Sequence, residues 1–174
     1  MKFKKERAKS IFRVYLELSK LNILSLVLVS TFLGYYLGNN GIGELSRVIY
    51  TLLGTSLTAA GSGALNHYLE RNSDSYMERT KNRPLPAGLI SPLNVIIFGV
   101  IMTIGGSLLL VFKINLLTGF LSLLTAFLYV VVYTPLKRIT WLNTSVGSVP
   151  GAMPIIGGWT AATGEIGTMA WILF

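Results

Sequence analysis

Five long stretches without a charged residue constrain the fold of this chain more strongly than any other feature of its sequence. These stretches cover residues 21–43, 48–69, 84–112, 114–136 and 139–164. Each can supply the roughly 20 apolar residues with which an α-helix crosses about 30 Å of hydrocarbon. One such stretch could be a buried helix of a soluble protein, but five in series argue against that alternative. We therefore predict an all-α, polytopic transmembrane bundle with five complete spans and the start of a sixth after Glu165.

The distribution of lysine and arginine predicts how the spans are oriented. If the N-terminus is cytoplasmic and the connections alternate, every basic residue except Arg47 and Lys113 lies on the cytoplasmic side. This bias follows the positive-inside rule, and it predicts a multi-pass protein of the cell inner (plasma) membrane with a cytoplasmic N-terminus. The same bias explains the net charge of +8. Nucleic-acid binding is excluded because the sequence offers no folded aqueous surface for it.

The start of the chain predicts a basic segment that precedes the bundle. Residues 1–20 are rich in lysine and arginine. A secretory signal peptide is the alternative, but the apolar stretch that follows is too long and lacks a small-x-small cleavage site. We therefore divide the chain into a basic cytoplasmic segment, residues 1–20, and a transmembrane domain, residues 21–174. The sequence has no cysteine, which excludes a disulfide framework and thiolate metal sites.

Three side chains with oxygen ligands, which we call the acidic ladder, follow one another at intervals of four residues. They are Asn66, Glu70 and Asp74, at the end of the second charge-free stretch and just beyond it. Residues four apart share one face of an α-helix, so we predict that the second span continues as a helix and carries them in a line. Carboxylate and amide oxygens suit a hard cation such as Mg²⁺, which one or two carboxylates hold together with substrate phosphates.

Basic residues follow the acidic ladder in the same polar connection. Arg79, Lys81 and Arg83 are close behind it. Guanidinium groups bind phosphate oxygens bidentately, and lysine adds a point charge. The ladder and these cations together therefore indicate a site for a magnesium diphosphate. A solvated loop with local ion pairs is the alternative, and the residues alone leave both interpretations open.

The next cytoplasmic connection contains similar side chains. Tyr133 ends the fourth predicted span, Pro135 stops the helix, and Lys137 and Arg138 face the same side as the ladder. The alternative is an interfacial tyrosine followed by cations that simply obey the positive-inside rule. His67, near the end of the second span, is predicted to hydrogen-bond within the bundle, with ligation of a haem iron as the alternative.

Two stretches of the sequence resemble the signatures of a known family. Residues 66–85, NHYLERNSDSYMERTKNRPL, resemble the first signature of the intramembrane prenyltransferases of the UbiA type. The part of this stretch that is most similar to the protoheme IX farnesyltransferase (haem O synthase) branch comprises Met77, Arg79, Thr80, Arg83 and Pro84. Residues 133–159, YTPLKRITWLNTSVGSVPGAMPIIGGW, resemble the second long signature of that branch. The similarity extends from about residue 20 to the end of the sequence.

This resemblance implies a reaction and a site. Enzymes of this branch transfer a farnesyl group from farnesyl diphosphate to a vinyl group of haem b (protoheme IX), with Mg²⁺ as cofactor, and produce haem O. The catalytic residues implied are Asn66, Glu70, Asp74 and Tyr133, with Glu70 and Asp74 as Mg²⁺ ligands and Asn66 as a third candidate ligand. The diphosphate-binding residues implied are Arg79, Lys81, Arg83, Lys137 and Arg138. The expected partners are the lipid bilayer and either haem A synthase or a terminal-oxidase assembly factor.

Two departures from the family pattern accompany the resemblance. Glu70 occupies the position of the usual first aspartate of the ladder. The family also carries a second acidic motif on a later helix, which these 174 residues do not reach. We therefore expect a prenyltransferase domain that is incomplete at its C-terminus and inactive alone. The alternatives are a UbiA-type prenyltransferase for another aromatic acceptor and a non-catalytic remnant.

Overall fold

The structure, a computed structural model, describes residues 10–137 and 139–174, and every regular element in these two ranges is a helix. The elements are α1 (Ile11–Leu18), α2 (Leu21–Gly38), α3 (Leu45–Tyr76), α4 (Pro92–Lys113), α5 (Leu116–Phe127), a π-helical segment (Leu128–Tyr133), α6 (Thr134–Leu136), α7 (Asn143–Thr163) and α8 (Thr168–Leu173). The predicted all-α fold is therefore confirmed.

Four helical stretches are long and apolar enough to cross a membrane. They are Leu21–Gly38, Leu45–Tyr76, Pro92–Lys113 and Leu116–Leu136, and they coincide with the first four predicted spans. Their outward faces expose large apolar side chains, such as Leu26 and Ile101, as the surface of a multi-pass membrane protein must. Helix α7 has 21 residues and no charge, but it is not among the described helices that are apolar enough to span a membrane. The fifth span, the start of a sixth and the orientation stay predictions.

Local sequence signals explain where several helices begin and end. The Ser91 side chain accepts a hydrogen bond from the backbone N–H of Asn94, and a proline follows directly, which is a favoured start for a helix. Asn115 caps α5 in the same way by accepting from the N–H of Thr118. Helix α7 ends at Thr163 and is followed by Gly164, whose φ of 83° lies in the left-handed region that glycine adopts without strain. These signals account for the sharp connections between the long helices.

Glycines allow α2 and α7 to pack with their backbones almost in contact. A Cβ atom added at Gly34 would lie 2.0 Å from the carbonyl oxygen of Ile155, and one added at Gly158 would lie 1.9 Å from that of Thr31. The same close approach joins α3 and α4 at Gly54, Gly61, Gly99 and Gly106. Small residues of this kind hold helices together in lipid, where burial of apolar surface supplies no driving force.

The N-terminal segment is more than a basic extension of the bundle. Its residues 11–18 form α1, in which Val14 and Leu18 are buried. These two side chains pack with the core residues Ala64, Leu85, Ile90 and Val95. Helix α1 is thereby fixed against α3 and against the connection between α3 and α4. The boundary predicted at residue 20 is not tested by this packing, but part of the segment contributes to the core.

Candidate active site

The acidic ladder lies on one buried face of α3. As predicted, α3 continues beyond its apolar part and ends at Tyr76, so Asn66, Glu70 and Asp74 share a face of one helix. Their exposed fractions are only 1%, 9% and 4%. Carboxylates that are buried this deeply need a counter-charge or a metal ion. The burial therefore argues against the alternative of a solvated loop.

Each member of the ladder contacts a cation from a different part of the chain. The Lys20 ammonium donates a hydrogen bond to Oδ1 of Asn66. Lys137 Nζ lies 3.0 Å from Oε1 of Glu70. Arg83 Nη1 lies 2.7 Å from Oδ2 of Asp74 and 3.9 Å from Oε2 of Glu70. Lys137 and Arg83 thus pair with the two carboxylates of the ladder, and Lys20 adds a third cation at Asn66. The surplus of positive charge favours an anionic ligand.

The connection after α3 folds back so that Arg83 reaches the ladder. The hydroxyl of Thr80, which is 2% exposed, donates to the carbonyl oxygen of Asp74 at 3.0 Å. Pro84 and Leu85 are also buried, which anchors the end of the turn. Arg83 is therefore held against Asp74 by the packing of its neighbours, and its ion pair does not depend on a flexible loop.

The other predicted diphosphate ligands differ in where the structure places them. Lys137 lies at the ladder, as described above. Lys81 pairs with Glu78 at 2.5 Å, and both side chains are well exposed, so the structure does not bring Lys81 to the ladder. Arg79 is exposed and lines a surface groove beside Arg83. Arg138 lies outside the described residues.

The π-helical segment arranges two tyrosines beside the ladder. The rings of Tyr129 and Tyr133 stack with centroids 5.7 Å apart, and the Lys137 ammonium lies 5.7 Å from the centroid of Tyr133. The Thr134 hydroxyl donates to the Tyr129 carbonyl oxygen at 2.8 Å and accepts from the Asn66 amide at 2.9 Å. Short π-helical stretches are common at functional sites because they re-aim side chains. Here the Thr134 hydroxyl joins the end of this segment to Asn66, and the Lys137 ammonium joins it to Glu70.

An apolar cavity opens directly beside this polar cluster. It has a volume of about 260 Å³ and lies between α2, α3, α5 and α7. Lys20, Tyr129 and Tyr133 line it, together with apolar side chains such as Val27, Leu121 and Met153. The Lys20 ammonium lies 3.5 Å from the Tyr129 hydroxyl, which links the cavity to the ladder. The site therefore combines a charged end for an anion with an apolar space for a hydrocarbon chain.

Three residues that contact the site were not identified from the sequence: Lys20, Tyr129 and Thr134. Lys20 stands between α1 and α2 with a left-handed backbone, φ 51° and ψ 58°, and this turn directs it toward α3. Burial lowers the pKa of Lys20 to about 8, and the negative charge of Glu70 opposes that shift. Lys20 is the last cation before the first charge-free stretch, and Tyr129 is four residues before Tyr133. The position of Lys20 next to a charge-free stretch and the helical spacing of the two tyrosines are sequence signals that could have identified these residues.

The ligands of the ladder fit a magnesium ion only when substrate phosphates complete its coordination. Among the described residues there is no cluster of three or more histidine, cysteine, aspartate or glutamate side chains. Glu70 and Asp74 supply two carboxylates, and Asn66 supplies an amide oxygen that now accepts from Lys20. Mg²⁺ commonly uses one or two carboxylates, waters and substrate phosphates. The residues thus fit an ion that binds together with a diphosphate.

Comparison with known proteins identifies the family. Residues 27–174 match the model of the UbiA prenyltransferase family. Proteins named protoheme IX farnesyltransferase are similar to this chain: that of Salinibacter ruber is 47% identical over 160 residues, which are 92% of this chain and 56% of the relative. That of Solibacter usitatus is 40% identical over 171 residues, 93% of this chain and 59% of the relative. The human mitochondrial protein of that name is 42% identical over 156 residues, 90% of this chain and 35% of the relative.

The fold agrees with this assignment. A solved structure of a digeranylgeranylglyceryl phosphate synthase superimposes with a TM-score of 0.82 over 93% of this chain and 56% of that protein. The identity of 19% limits this comparison to the fold. The chain spans somewhat more than half the length of the two bacterial relatives it matches. Because the family model covers most of the sequence and its fold agrees, the chain belongs to the UbiA prenyltransferase family.

Proposed function

We propose that the protein transfers a farnesyl group from farnesyl diphosphate to a vinyl group of haem b, in the cell inner membrane and with the site open to the cytoplasm. The observation that carries this proposal is the pairing of Glu70 and Asp74 with Lys137 and Arg83 beside an apolar cavity. The names of the bacterial and mitochondrial relatives described above support haem b as the acceptor. Haem A synthase or an oxidase assembly factor stays a candidate partner that no described surface identifies.

The reaction begins with departure of the diphosphate. The bond between C1 of the farnesyl group and the diphosphate oxygen breaks, and its electron pair leaves with diphosphate. The vinyl group of haem b supplies the electron pair of the new carbon–carbon bond. Water then adds to the cation left on the former vinyl group, and a proton is released to give haem O. Positive charge at the phosphate end and a dry space at the hydrocarbon end are therefore both required.

The cations of the site serve the phosphate end. Arg83 and Lys137 lie at the ladder, where they can exchange their carboxylate partners for phosphate oxygens. Preorganised positive charge of this kind stabilises the negative charge that develops on a leaving group. Glu70 and Asp74 would then hold Mg²⁺, which supplies Lewis-acid stabilisation of the leaving diphosphate when it is bound. Arg83 and Lys137 thus neutralise the carboxylates without substrate, and a metal ion bound with the diphosphate would neutralise them in its presence.

The cavity serves the hydrocarbon end. Its lining is mostly apolar, and the stacked rings of Tyr129 and Tyr133 lie where it meets the ladder. Aromatic faces stabilise a nearby cation more strongly in a desolvated site than in water. An allylic carbon that loses diphosphate at this boundary would therefore be stabilised by the rings, and the apolar lining would protect it from premature capture by water.

Reconstitution tests the proposal directly. We expect the full-length protein in liposomes, supplied with Mg²⁺, farnesyl diphosphate and haem b, to form haem O that mass spectrometry detects. Release of diphosphate that requires a quinone precursor instead of haem b would identify a prenyltransferase with another aromatic acceptor. Absence of diphosphate release with every acceptor would indicate a non-catalytic protein.

Arg83→Lys is expected to raise the KM for farnesyl diphosphate about tenfold or more. Lysine keeps the charge but loses the guanidinium fork that binds phosphate bidentately, and charge-assisted hydrogen bonds contribute about 1.5–3 kcal/mol each. The measurement is initial rate against farnesyl diphosphate concentration. Arg71→Lys is the matched control, because Arg71 stacks on Tyr68 and donates to its carbonyl oxygen. An equal rise in both variants would contradict a specific role for Arg83.

A further inference from the structure

A second concave surface, which we call the α1 groove, adjoins the candidate active site. It has a volume of about 660 Å³ and is open to solvent, within the range of volumes that small-molecule sites occupy. The residues on which its chemistry depends are Arg13 and Glu17 of α1, Lys20, His67 of α3, and Arg79 and Arg83 of the connection after α3. Lys20 lines both the groove and the apolar cavity, so the two concave surfaces adjoin at this residue.

The charges of the α1 groove favour an anion. Four of these six residues are cationic side chains, and Glu17 is the single carboxylate among them. Arg83 is engaged with Asp74. Arg13 and Arg79, by contrast, form no ion pair with any residue in the described ranges, and they come from two separate elements that α1 packing brings together. Two guanidinium groups from separate elements in one groove suit a ligand with more than one anionic group.

The groove also contains a buried polar group without a partner. His67 is only 3% exposed, and in the described part of the chain neither of its ring nitrogens has a hydrogen-bond partner. Buried polar groups are nearly always satisfied, and an exception needs an explanation. The unsatisfied imidazole lies in the wall of a groove that attracts anions. A bound ligand with hydrogen-bonding oxygens would satisfy it.

We propose that the α1 groove binds the carboxylate-bearing edge of the acceptor, a flat apolar ring system with two carboxylates, through Arg13, Arg79 and His67. This inference rests on the proposed function, because it assigns the second substrate of the same reaction to a place beside the diphosphate. The groove offers apolar side chains of Leu16 and Ile23 as well as cations. A tetrapyrrole with two propionates combines these same features. Arg79, which the sequence indicated as a diphosphate ligand, is thereby reassigned to the acceptor.

Binding of free-base protoporphyrin IX tests this proposal without turnover. With the full-length protein in neutral-lipid nanodiscs, we expect Arg13→Gln and Arg79→Gln each to weaken protoporphyrin binding about tenfold or more, as loss of a charge-assisted hydrogen bond does. The matched control is Arg71→Gln, since Arg71 does not line the groove. The dimethyl ester of protoporphyrin should bind the wild type weakly, and neither substitution should reduce its affinity further. Equal losses for the diacid and the diester would overturn the proposal.

His67→Leu provides an independent readout. Removal of an unsatisfied buried imidazole should leave the melting temperature of the ligand-free protein unchanged or raised, whereas protoporphyrin binding should weaken several-fold. A lower melting temperature with unchanged binding would show that His67 is only structural, and would overturn its part in the groove. The test works without metal, so iron ligation cannot produce the effect.

The remaining outcomes separate this proposal from its competitors. If Arg13→Gln and Arg79→Gln raise the KM for farnesyl diphosphate and leave protoporphyrin binding intact, the groove binds diphosphate and the proposal fails. If the variants differ from wild type only in nanodiscs that contain anionic lipid, the groove binds a lipid headgroup and the proposal also fails. Absence of haem O formation with the predicted binding losses would contradict the proposed function and leave the groove assignment standing.

Discussion

Asp74→Asn is expected to lower the rate of prenyl transfer at least about a hundredfold. The substitution removes one of only two carboxylates in the ladder, and with it a charged ligand for Mg²⁺. A metal ion at a leaving group contributes several kcal/mol of transition-state stabilisation, and each 1.36 kcal/mol corresponds to a factor of ten in rate. The measurement is haem O formation by the full-length protein at saturating substrates and at increasing Mg²⁺ concentrations, which should restore little activity.

The control for this experiment is Glu78, an acidic residue in the connection directly after α3. Glu78 is largely exposed and pairs only with Lys81 among the described residues, so Glu78→Gln should leave the rate within about twofold of wild type. A thermal unfolding measurement on both variants shows whether Asp74→Asn remains folded, because it also leaves Arg83 without its nearest carboxylate. A folded Asp74→Asn protein with the full wild-type rate would rule out Asp74 as a metal ligand.

Gly158→Ala is expected to cause the largest loss of stability of any single methyl addition in α7. The new Cβ would lie 1.9 Å from the Thr31 carbonyl oxygen, which belongs to the backbone of α2 and cannot rotate away. Overpacking of this kind costs about 1–3 kcal/mol and occasionally more, and here the upper end applies because the two helices themselves must move apart. The measurement is the midpoint of unfolding in mixed micelles as the fraction of dodecyl sulfate is increased.

The same substitution at Gly105 is the matched control. Gly105 lies in the middle of α4, and a Cβ added there meets no other atom within 4 Å. Alanine is also the better helix former by about 0.8–1 kcal/mol, so Gly105→Ala should be neutral or slightly stabilising. If Gly105→Ala and Gly158→Ala lower the unfolding midpoint equally, Gly158 is not required for the close packing of α2 on α7.

Much of this architecture could be predicted because it is encoded locally. Helical spacing alone placed Asn66, Glu70 and Asp74 on one face, and α3 shows them there. The charge-free stretches located the four helices that are long and apolar enough to cross a membrane, although some of the predicted ends differ from the observed ends by about two helical turns. The place of α7 in the bundle was harder to predict. The number of apolar residues in a stretch does not show that glycines such as Gly158 will pack directly on the backbone of α2.

The pairing of the charges could not be predicted, since it depends on contacts between distant parts of the chain. Lys20 and Asn66 are 46 residues apart, and Glu70 and Lys137 are 67 apart. Lys20 directly follows the packed helix α1, and Lys137 follows the π-helical segment. Neither feature has a clear local signal in the sequence. Lys81 pairs with Glu78 three residues earlier, which is the kind of local ion pair that the sequence left open as the alternative to a diphosphate ligand.

The packing of α1 and α2 has a consequence for how the protein is made. Val14 and Leu18 are covered by residues as far along the chain as Val95, and Gly34 rests on Ile155. A ribosome therefore delivers α1 and α2 to the membrane long before their packing partners exist. Until α3 is made, Lys20 has no ladder to contact. During this interval α1 and α2 lie in or at the membrane without all of their packing partners. We infer that biogenesis of the site ends only when α7 closes on α2, so that the first segment to be inserted is among the last to reach its native contacts.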